Sequence, residues 1–199
     1  MQKQVQIRMR SSAVRLISRG VSLAAVVILA ACVGWQPGSG TVTPEQADTM
    51  TPQVNATIAR FKQRDPDIQR FFDQAYGYAI YPSIGKGGFW IGGAHGDGAV
   101  YQQGRLVGVT SITQITIGLQ IGGQAYSEII FFHTPESLAT FEAGNFTFSA
   151  QVSAVAATAG AAKNTAWNNG IAVFTAAEGG LMAEATVGGQ KFTFTPIKH

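Results

Sequence analysis

The sequence contains one cysteine, Cys32, in 199 residues. A single thiol cannot close an intramolecular disulfide, so the folded chain has to be stabilised by packing rather than by cross-links. Histidine is almost as rare, and none of His95, His133 and His199 has the spacing of a zinc motif such as HExxH. His95 with Asp97 could hold a metal ion weakly, but a solvated pair in a turn is the better interpretation. We therefore predict no metal site and no cofactor.

The sequence also lacks the motifs of nucleophilic catalysis. No serine lies in a GxSxG motif. Ser127 and Glu128 lie inside the apolar run AYSEIIFF, where one of the two must face inward. A carboxyl group among Ile and Phe is expected to be buried with a raised pKa. We interpret Glu128 as a structural carboxylate with a partner, and a hydrolase built on Glu128 and His133 is the weaker alternative. The prediction is a protein that is not an enzyme and has no catalytic residue.

A long hydrophobic run is missing too. The longest near the start, VSLAAVVILAA from Val21 to Ala31, would rise only about 16 Å as a helix, too little for a bilayer core of roughly 30 Å. Basic residues before a short apolar run are typical of a signal peptide. The run closes on Leu29-Ala30-Ala31-Cys32, which resembles a bacterial lipobox. The resemblance implies cleavage after Ala31, diacylglycerol transfer to the Cys32 thiol and acylation of the new amino terminus, for which palmitate is typical. The alternative is an ordinary signal peptide in which Cys32 is incidental.

Positive charge is scarce once residues 1–31 are removed. The whole chain has 14 basic and 11 acidic residues, a formal net charge of +3. The signal segment holds five bases and no acids, which leaves a mature charge of −2. A basic stripe for nucleic acid is therefore not expected, and neither is broad attraction to anionic membranes. Anchoring would come from acyl chains.

Residues 32–50 are predicted to be the lipidated cysteine and a flexible tether, because GWQPGSGT has no periodicity. Val33, rather than Asp, follows Cys32. In a Gram-negative host this implies the outer membrane, with the protein facing the periplasm.

Two short helices are predicted to follow. Apolar residues recur at helical spacing in Pro52–Arg64, and Asp65-Pro66 is expected to end that helix and cap the next. The first helix carries Arg60 and Arg64 away from its apolar stripe. It could lie on a membrane, but we favour a helix that covers a sheet with its charges in water.

From Tyr76 the periodicity becomes that of strands. Gln114–Gly122 alternates strictly, with isoleucines on one side, which predicts a half-buried strand. Shorter apolar runs are separated by glycine-bearing turns such as His95–Gly98 and Gln103-Gly104, and short turns favour antiparallel neighbours. Asn145–Thr165 is ambiguous. The predicted fold is α+β: a mainly antiparallel, glycine-rich curved sheet covered by short N-terminal helices.

The stretch Gly77–Tyr101, with eight glycines and Lys86, raises the question of a phosphate-binding loop. Lys86 is followed by Gly87 rather than Ser or Thr, so the Walker motif fails. A strand follows where a dinucleotide fingerprint needs a helix. Glycine that bends a sheet is the better interpretation.

The same stretch, GYAIYPSIGKGGF, resembles the signature of the SYLF domain, usually described as lipid-binding. The resemblance continues through GGAHG, TSITQ, GLQIGGQ and SEIIFF and ends at GGQKF, so it covers roughly Ala56 to Thr195. We assign residues 51–199 to this SYLF-like domain. Eukaryotic members are associated with phosphoinositide membranes and some with actin, through basic residues and a preceding amphipathic helix. The resemblance implies lipid-binding positions at Lys86, inside the motif, and at Arg105 and Lys191, beside later blocks.

The sequence thus predicts a membrane-anchored bacterial envelope lipoprotein whose SYLF-like domain binds phospholipid surfaces. The expected partners are the membrane, through acylated Cys32, phospholipid headgroups and an envelope protein, and no nucleic acid. The alternative is an anchored periplasmic scaffold that binds a protein or glycan.

Overall fold

The computed structural model of the protein describes residue 45, residues 49–144 and residues 154–197. The side chains of residues 119–120 and 180–188 fall outside the description, although their backbone pairing is included. The contact pattern divides the chain into Met1–Ser39 and Gly40–His199, and every described residue belongs to the second unit. The predictions for the signal peptide, for Cys32 and for most of the tether therefore lie outside the described residues.

Two helices precede the sheet. Helix α1 is Thr51–Arg64, a 3₁₀ helix spans Pro66–Ile68, and helix α2 is Gln69–Gln74. Asp65 ends α1 and accepts a hydrogen bond from the Asp67 backbone N–H at 3.3 Å, so the predicted stop and cap are confirmed. The N-cap of α1 is Met50, and it makes no side-chain cap bond.

The sheet consists of three long strands and one short one. They are β1 Gly77–Gln102, β2 Arg105–Phe132, β3 Val155–Ala156 and β4 Ile171–Pro196, in the spatial order β1-β2-β4-β3. The three long strands pair antiparallel, and β3 adds to β4 in parallel. The α+β class with a mainly antiparallel sheet is confirmed.

Short helices lie in the connection between β2 and β4. Helix α3, Pro135–Glu142, is capped by Thr134, whose hydroxyl accepts from the Ser137 backbone N–H at 3.3 Å. Helix α4 is Ala161–Asn164. The Asp65 carboxylate also accepts from Ala162 N–H at 2.6 Å, which fastens α4 to the end of α1. In the described part of the chain, no helix is both long enough and apolar enough to span a membrane.

The prediction of many short strands is wrong. His95–Gly98, predicted as a turn, lies inside β1, and Gly96 pairs with Ile112 of β2. Of the two turns quoted from the sequence, only Gln103-Gly104 separates strands. The glycines instead allow close backbone contact. A Cβ on Gly96 would lie 2.7 Å from the Ser83 carbonyl oxygen, so the second half of β1 packs directly on the first.

Strand β1 therefore turns back on itself, and the reversal lies between Gly88 and Gly92. A Cβ on Gly88 would be 2.4 Å from the Cα of Gly92. Between them Trp90 has a φ of 62°, in the left-handed region that side chains other than glycine rarely adopt. The register with β2 also shifts between Phe89 and Ile91. The glycine-rich stretch is thus sheet, as predicted, and it forms a sharp bend.

The bent sheet has an apolar cluster on each face. Along β2 alternate residues enter different clusters, as the pleat of a strand requires. The inner cluster lies between the two halves of the sheet and α3, and it includes Ala79, Tyr81, Ile84, Val100, Ile112, Ile130, Phe132, Phe141 and Phe192. The outer cluster packs α1 and α2 on the sheet and includes Val54, Phe61, Ile68, Phe71, Ile80, Ile129, Phe131 and Phe174.

Candidate functional site

The bend carries an exposed group of large apolar side chains, which we call the apolar patch. Its six members are 58–68% exposed and are the large exposed apolar residues of the described ranges: Phe89, Trp90, Ile91, Ile115, Ile117 and Ile121. Strand pairing brings them together, since Ile117 pairs with Ile91 and Ile121 with Phe89. A contiguous apolar surface of this kind on a folded domain marks an interaction site.

The patch reverses the expected orientation of the central strand. The alternation in Gln114–Gly122 predicted that the isoleucine side would be the buried one. Instead Ile115 and Ile117 are 63% and 67% exposed, while Thr116 between them is 1% exposed. The reason is the bend, which encloses Thr116 on the inner face, while no helix of residues 49–144 and 154–197 covers the outer face here.

Three consecutive members, Phe89, Trp90 and Ile91, are exposed together. In a regular strand successive side chains point to opposite faces. The left-handed backbone of Trp90 breaks this alternation. The bend therefore presents the three residues as one apolar tip, with the Phe89 and Trp90 rings edge to face at 6.4 Å between centroids.

The two strand segments that carry the patch contain no charged residue, although Glu184 of β4 pairs with Gln120 beside them. No charged residue occurs from Leu106 to Ser127 or from Gly87 to Ala94. Lys86 borders the patch on β1, where it is half-buried and pairs with Gln124. Lys191 is exposed on β4 and pairs with Thr113, which is two residues before Ile115 in β2. The six side chains of the patch therefore offer apolar contact, and charged residues occur only on the segments beside them.

A polar cluster lies on the outer face beside α1. The Arg60 guanidinium is 2.6 Å from Glu178 Oε1 and donates to Ser127 Oγ at 3.2 Å and to Thr57 Oγ1 at 2.9 Å. The Ser127 hydroxyl donates to the same Glu178 oxygen at 2.7 Å. Partial desolvation raises the pKa of Glu178, but hydrogen bonds from Ser127, Ser83 and Arg60 and the Arg60 charge outweigh it, and the net shift is downward.

This cluster corrects the expectation that Arg60 would point only into water. The sequence could not have paired Arg60 with Glu178, because the two residues are far apart in the chain and neither lies in a motif. The cluster ties α1 to β4.

Glu128 lies on the inner face of β2, paired with Tyr81 on one side and Thr175 on the other. It is 1% exposed, and burial raises the pKa of its carboxyl group from 4.5 to about 8. The predicted burial and raised pKa are confirmed. The expected partner is missing for one oxygen, since Oε1 makes no hydrogen bond. A neutral, buried carboxylic acid at neutral pH is what this environment favours.

His95 and Asp97 are both about half exposed, with 3.7 Å between Nε2 and Oδ1. They lie within β1 rather than in a turn. His133 packs its ring against Trp167, with 4.6 Å between centroids. Across residues 49–144 and 154–197, no three His, Cys, Asp or Glu side chains gather as metal ligands would.

A known protein family matches the chain from within β2 to the end of β4. Residues 113–196 match the family described as Ysc84: Las17-binding protein actin regulator, the SYLF family. The predicted SYLF resemblance is confirmed.

A curated protein is similar to this chain over a longer stretch. Beta cell expansion factor A of Aeromonas veronii is 27% identical over 142 residues. The similar region is 70% of this chain and 53% of that protein, so the chain spans about half the length of its relative.

The three basic positions implied by the resemblance are not gathered into one cluster by the strand register. Lys86 and Lys191 lie on either side of the apolar patch. Arg105 begins β2 beside the Gln103-Gly104 turn, at the other end of the hairpin, where it lines a cleft of about 190 Å³. The domain therefore offers two bases near the patch and one remote from it. The sequence missed the patch itself, although three consecutive apolar residues flanked by glycine pairs could have indicated it.

Proposed function

We propose that the protein is a non-enzymatic, membrane-anchored bacterial envelope lipoprotein whose SYLF domain binds phospholipid surfaces. In this proposal residues 1–31 are a signal peptide and Cys32 carries the acyl chains. Residues 32–50 are the tether, and residues 51–199 are the domain, held at the outer membrane and facing the periplasm. The family match supports a domain of the lipid-binding type.

The observation that carries the lipid proposal is the apolar patch. Six large side chains more than half exposed would each lose contact with water on binding, and burial of apolar surface is the main favourable contribution to association. Lys191 pairs with Thr113, on the same side of β2 as Ile115, where phosphate headgroups would meet a domain seated on this surface. Lys86 pairs with Gln124, on the other side of the strand.

Helices α1 and α2 are assigned a covering role rather than a membrane-binding one. Their apolar residues Val54, Phe61 and Phe71 are fully buried against the sheet. A helix that had to lie on a bilayer would have to present this stripe to lipid. The N-terminal helices therefore complete the fold, and the lipid-binding surface is the sheet.

The test is flotation of residues 33–199 with liposomes of envelope phospholipids, after circular dichroism has shown that the fragment is folded. Acyl chains are absent, so the anchor cannot account for binding. Flotation that Lys86→Glu weakens at low salt supports headgroup recognition. A folded fragment that stays at the bottom of the gradient contradicts lipid binding by the domain.

The anchor is tested separately in cells. Labelled palmitate should be incorporated into the full chain and not into the Cys32→Ser variant. Incorporation into both, or into neither, would contradict lipidation at Cys32.

The alternative function is an anchored periplasmic scaffold that binds a glycan or protein. The edge-to-face pair of Phe89 and Trp90 favours it, because exposed aromatic rings can stack on a sugar face. A folded fragment that ignores liposomes but binds cell-wall glycan would support this alternative.

A further inference from the structure

We propose that the apolar patch is a shallow membrane-insertion device, in which Phe89, Trp90, Ile91, Ile115, Ile117 and Ile121 enter the acyl region of the bilayer that holds the protein. This inference rests on the proposed function and adds how the domain engages lipid: by side chains placed in the hydrocarbon rather than by charge alone.

The backbone of the bend is arranged for insertion. Gly88 and Gly92 approach closely, and Trp90 takes a left-handed φ of 62° between them, so three neighbouring apolar side chains are exposed together. The paired isoleucines of β2 extend the same surface. A left-handed backbone at a non-glycine residue is unfavourable and persists where the surroundings fix it, often at a functional position.

The strand segments that carry the patch have no charged residue, which favours contact with hydrocarbon over contact with an ionic partner. A charged side chain in the bilayer interior is strongly unfavourable. The stretches Gly87–Ala94 and Leu106–Ser127, which contain all six members, have no charged residue. Lys86 and Lys191 lie outside these stretches, and a long basic side chain beside an inserted surface can reach the headgroups of a membrane. A soluble partner would more commonly meet a polar rim.

The depth of insertion is limited by the backbone. Unpaired peptide groups cannot enter the hydrocarbon, and β1 is an edge strand of the sheet. We therefore place the strands at the interface, where Trp90 is suited to lie, and only the side chains below it.

We infer that the patch binds the bilayer, because a lipidated Cys32 would keep the domain close to the membrane. Helix α1 begins at Thr51, so no more than roughly 65 Å of extended chain separates it from Cys32. Tethering of this length makes contact with the membrane an intramolecular event at high effective concentration. A soluble partner or a second copy would have to compete with it.

The test uses the lipidated protein in vesicles that contain either acyl-brominated or headgroup-level quenchers. In the first variant, Trp35→Phe with Trp167→Phe leaves Trp90 as the sole tryptophan. In the matched control, Trp35→Phe with Trp90→Phe leaves Trp167, which packs beside Phe71 with 4.9 Å between ring centroids. The expected result is stronger quenching of Trp90 by acyl bromine than by headgroup quencher, with little change when salt is raised, and no acyl quenching of Trp167.

Other outcomes overturn the inference and remain distinguishable from failure of the proposed function. Quenching of Trp90 by the headgroup probe alone would leave lipid binding intact and remove insertion. Quenching of Trp167 but not Trp90 would mean that the domain binds lipid through another face. Quenching of neither would remove both the insertion and the lipid-binding function of the domain.

A substitution pair checks the same point without fluorescence. Ile117→Lys should reduce binding of the unlipidated, folded chain to vesicles about tenfold or more, because it replaces an apolar contact by a charge at the hydrocarbon level. Ala177→Gln, also an exposed position of the sheet but outside the patch, should leave binding unchanged. Equal effects of both, or a dimer in solution that Ile117→Lys dissociates, would overturn the proposal.

Discussion

The outer face of β2 differs between the two ends of the doubled sheet, namely the open end that α1 and α2 cover and the bend, although one strand runs through both. At one end Ile129 and Phe131 are fully buried under α1 and α2. At the other end Ile115, Ile117 and Ile121, on the same side of the strand, are mostly exposed. The strand and the residue types are similar, so the difference comes from the cover. Among the described residues, the fold supplies a cover for this apolar face at only one end.

The largest expected effect is on the covered end. Phe131→Ala should lower the free energy of unfolding by about 3–5 kcal/mol, since the ring packs against Phe71, Phe72 and Phe174 and its loss leaves a cavity. Urea denaturation followed by circular dichroism measures this. Ile117→Ala is the matched control at the bare end. A loss below about 1 kcal/mol for Phe131→Ala would contradict the comparison.

The next largest effect on stability is expected from Glu128, on the inner face at the covered end. Glu128 keeps its proton in the folded state to a pH of about 8, whereas the unfolded chain loses it near 4.5. The stability of the protein should therefore fall as the pH rises from about 4.5 to 8. Glu128→Gln, neutral in both states, should be more stable than the parent by about 3 kcal/mol at pH 7 and equal to it near pH 4.

Thermal unfolding at a series of pH values checks this prediction. The decisive observation is the slope: the parent should lose stability between pH 5 and 8, and the variant should lose less. Parallel curves would mean that Glu128 is ionised in the folded protein.

A smaller effect is expected from the polar cluster that joins α1 to β4. The Arg60 side chain is 43% exposed, and solvent screens its pair with Glu178. Arg60→Met should therefore cost no more than about 1 kcal/mol of stability. A double-mutant cycle with Glu178→Gln isolates the coupling energy. A coupling of several kcal/mol would show that the cluster, rather than apolar packing, holds the helix.

The smallest effect on stability is expected at the bare end. Ile117→Lys should change the free energy of unfolding by less than about 0.5 kcal/mol, because an exposed side chain has little packing to lose. The same variant is expected to lose vesicle binding. Destabilisation comparable to that of Phe131→Ala would show that the patch is part of the core after all.

Much of the fold could be predicted because it depends on local chemistry. The stop at Asp65-Pro66, the cap at Thr134 and the antiparallel pairing all follow from a few neighbouring residues. The raised pKa of Glu128 was predictable from its apolar neighbours alone.

The rest depends on which distant surfaces meet. The sequence predicts a turn at Gly96 and Gly98, whereas in the structure these glycines let one half of β1 lie against the other. The outward face of Gln114–Gly122 followed from that contact and not from its own alternation. The contact of Arg60 with Glu178 likewise required the completed sheet.

The doubled sheet has a consequence for how the chain folds. Gly77 pairs with Phe132, and Phe132 pairs in turn with Ile171, so residues far apart in sequence must meet before either half of the sheet is complete. Topologies rich in such distant pairs fold slowly, on the order of milliseconds to seconds. The chain loses the entropy of loop closure before the favourable contacts between distant residues can form. During that time β1 has an unpaired edge and an apolar tip in water, the two features that favour aggregation. The speed with which the chain completes the sheet is therefore expected to influence how much of it survives as folded protein.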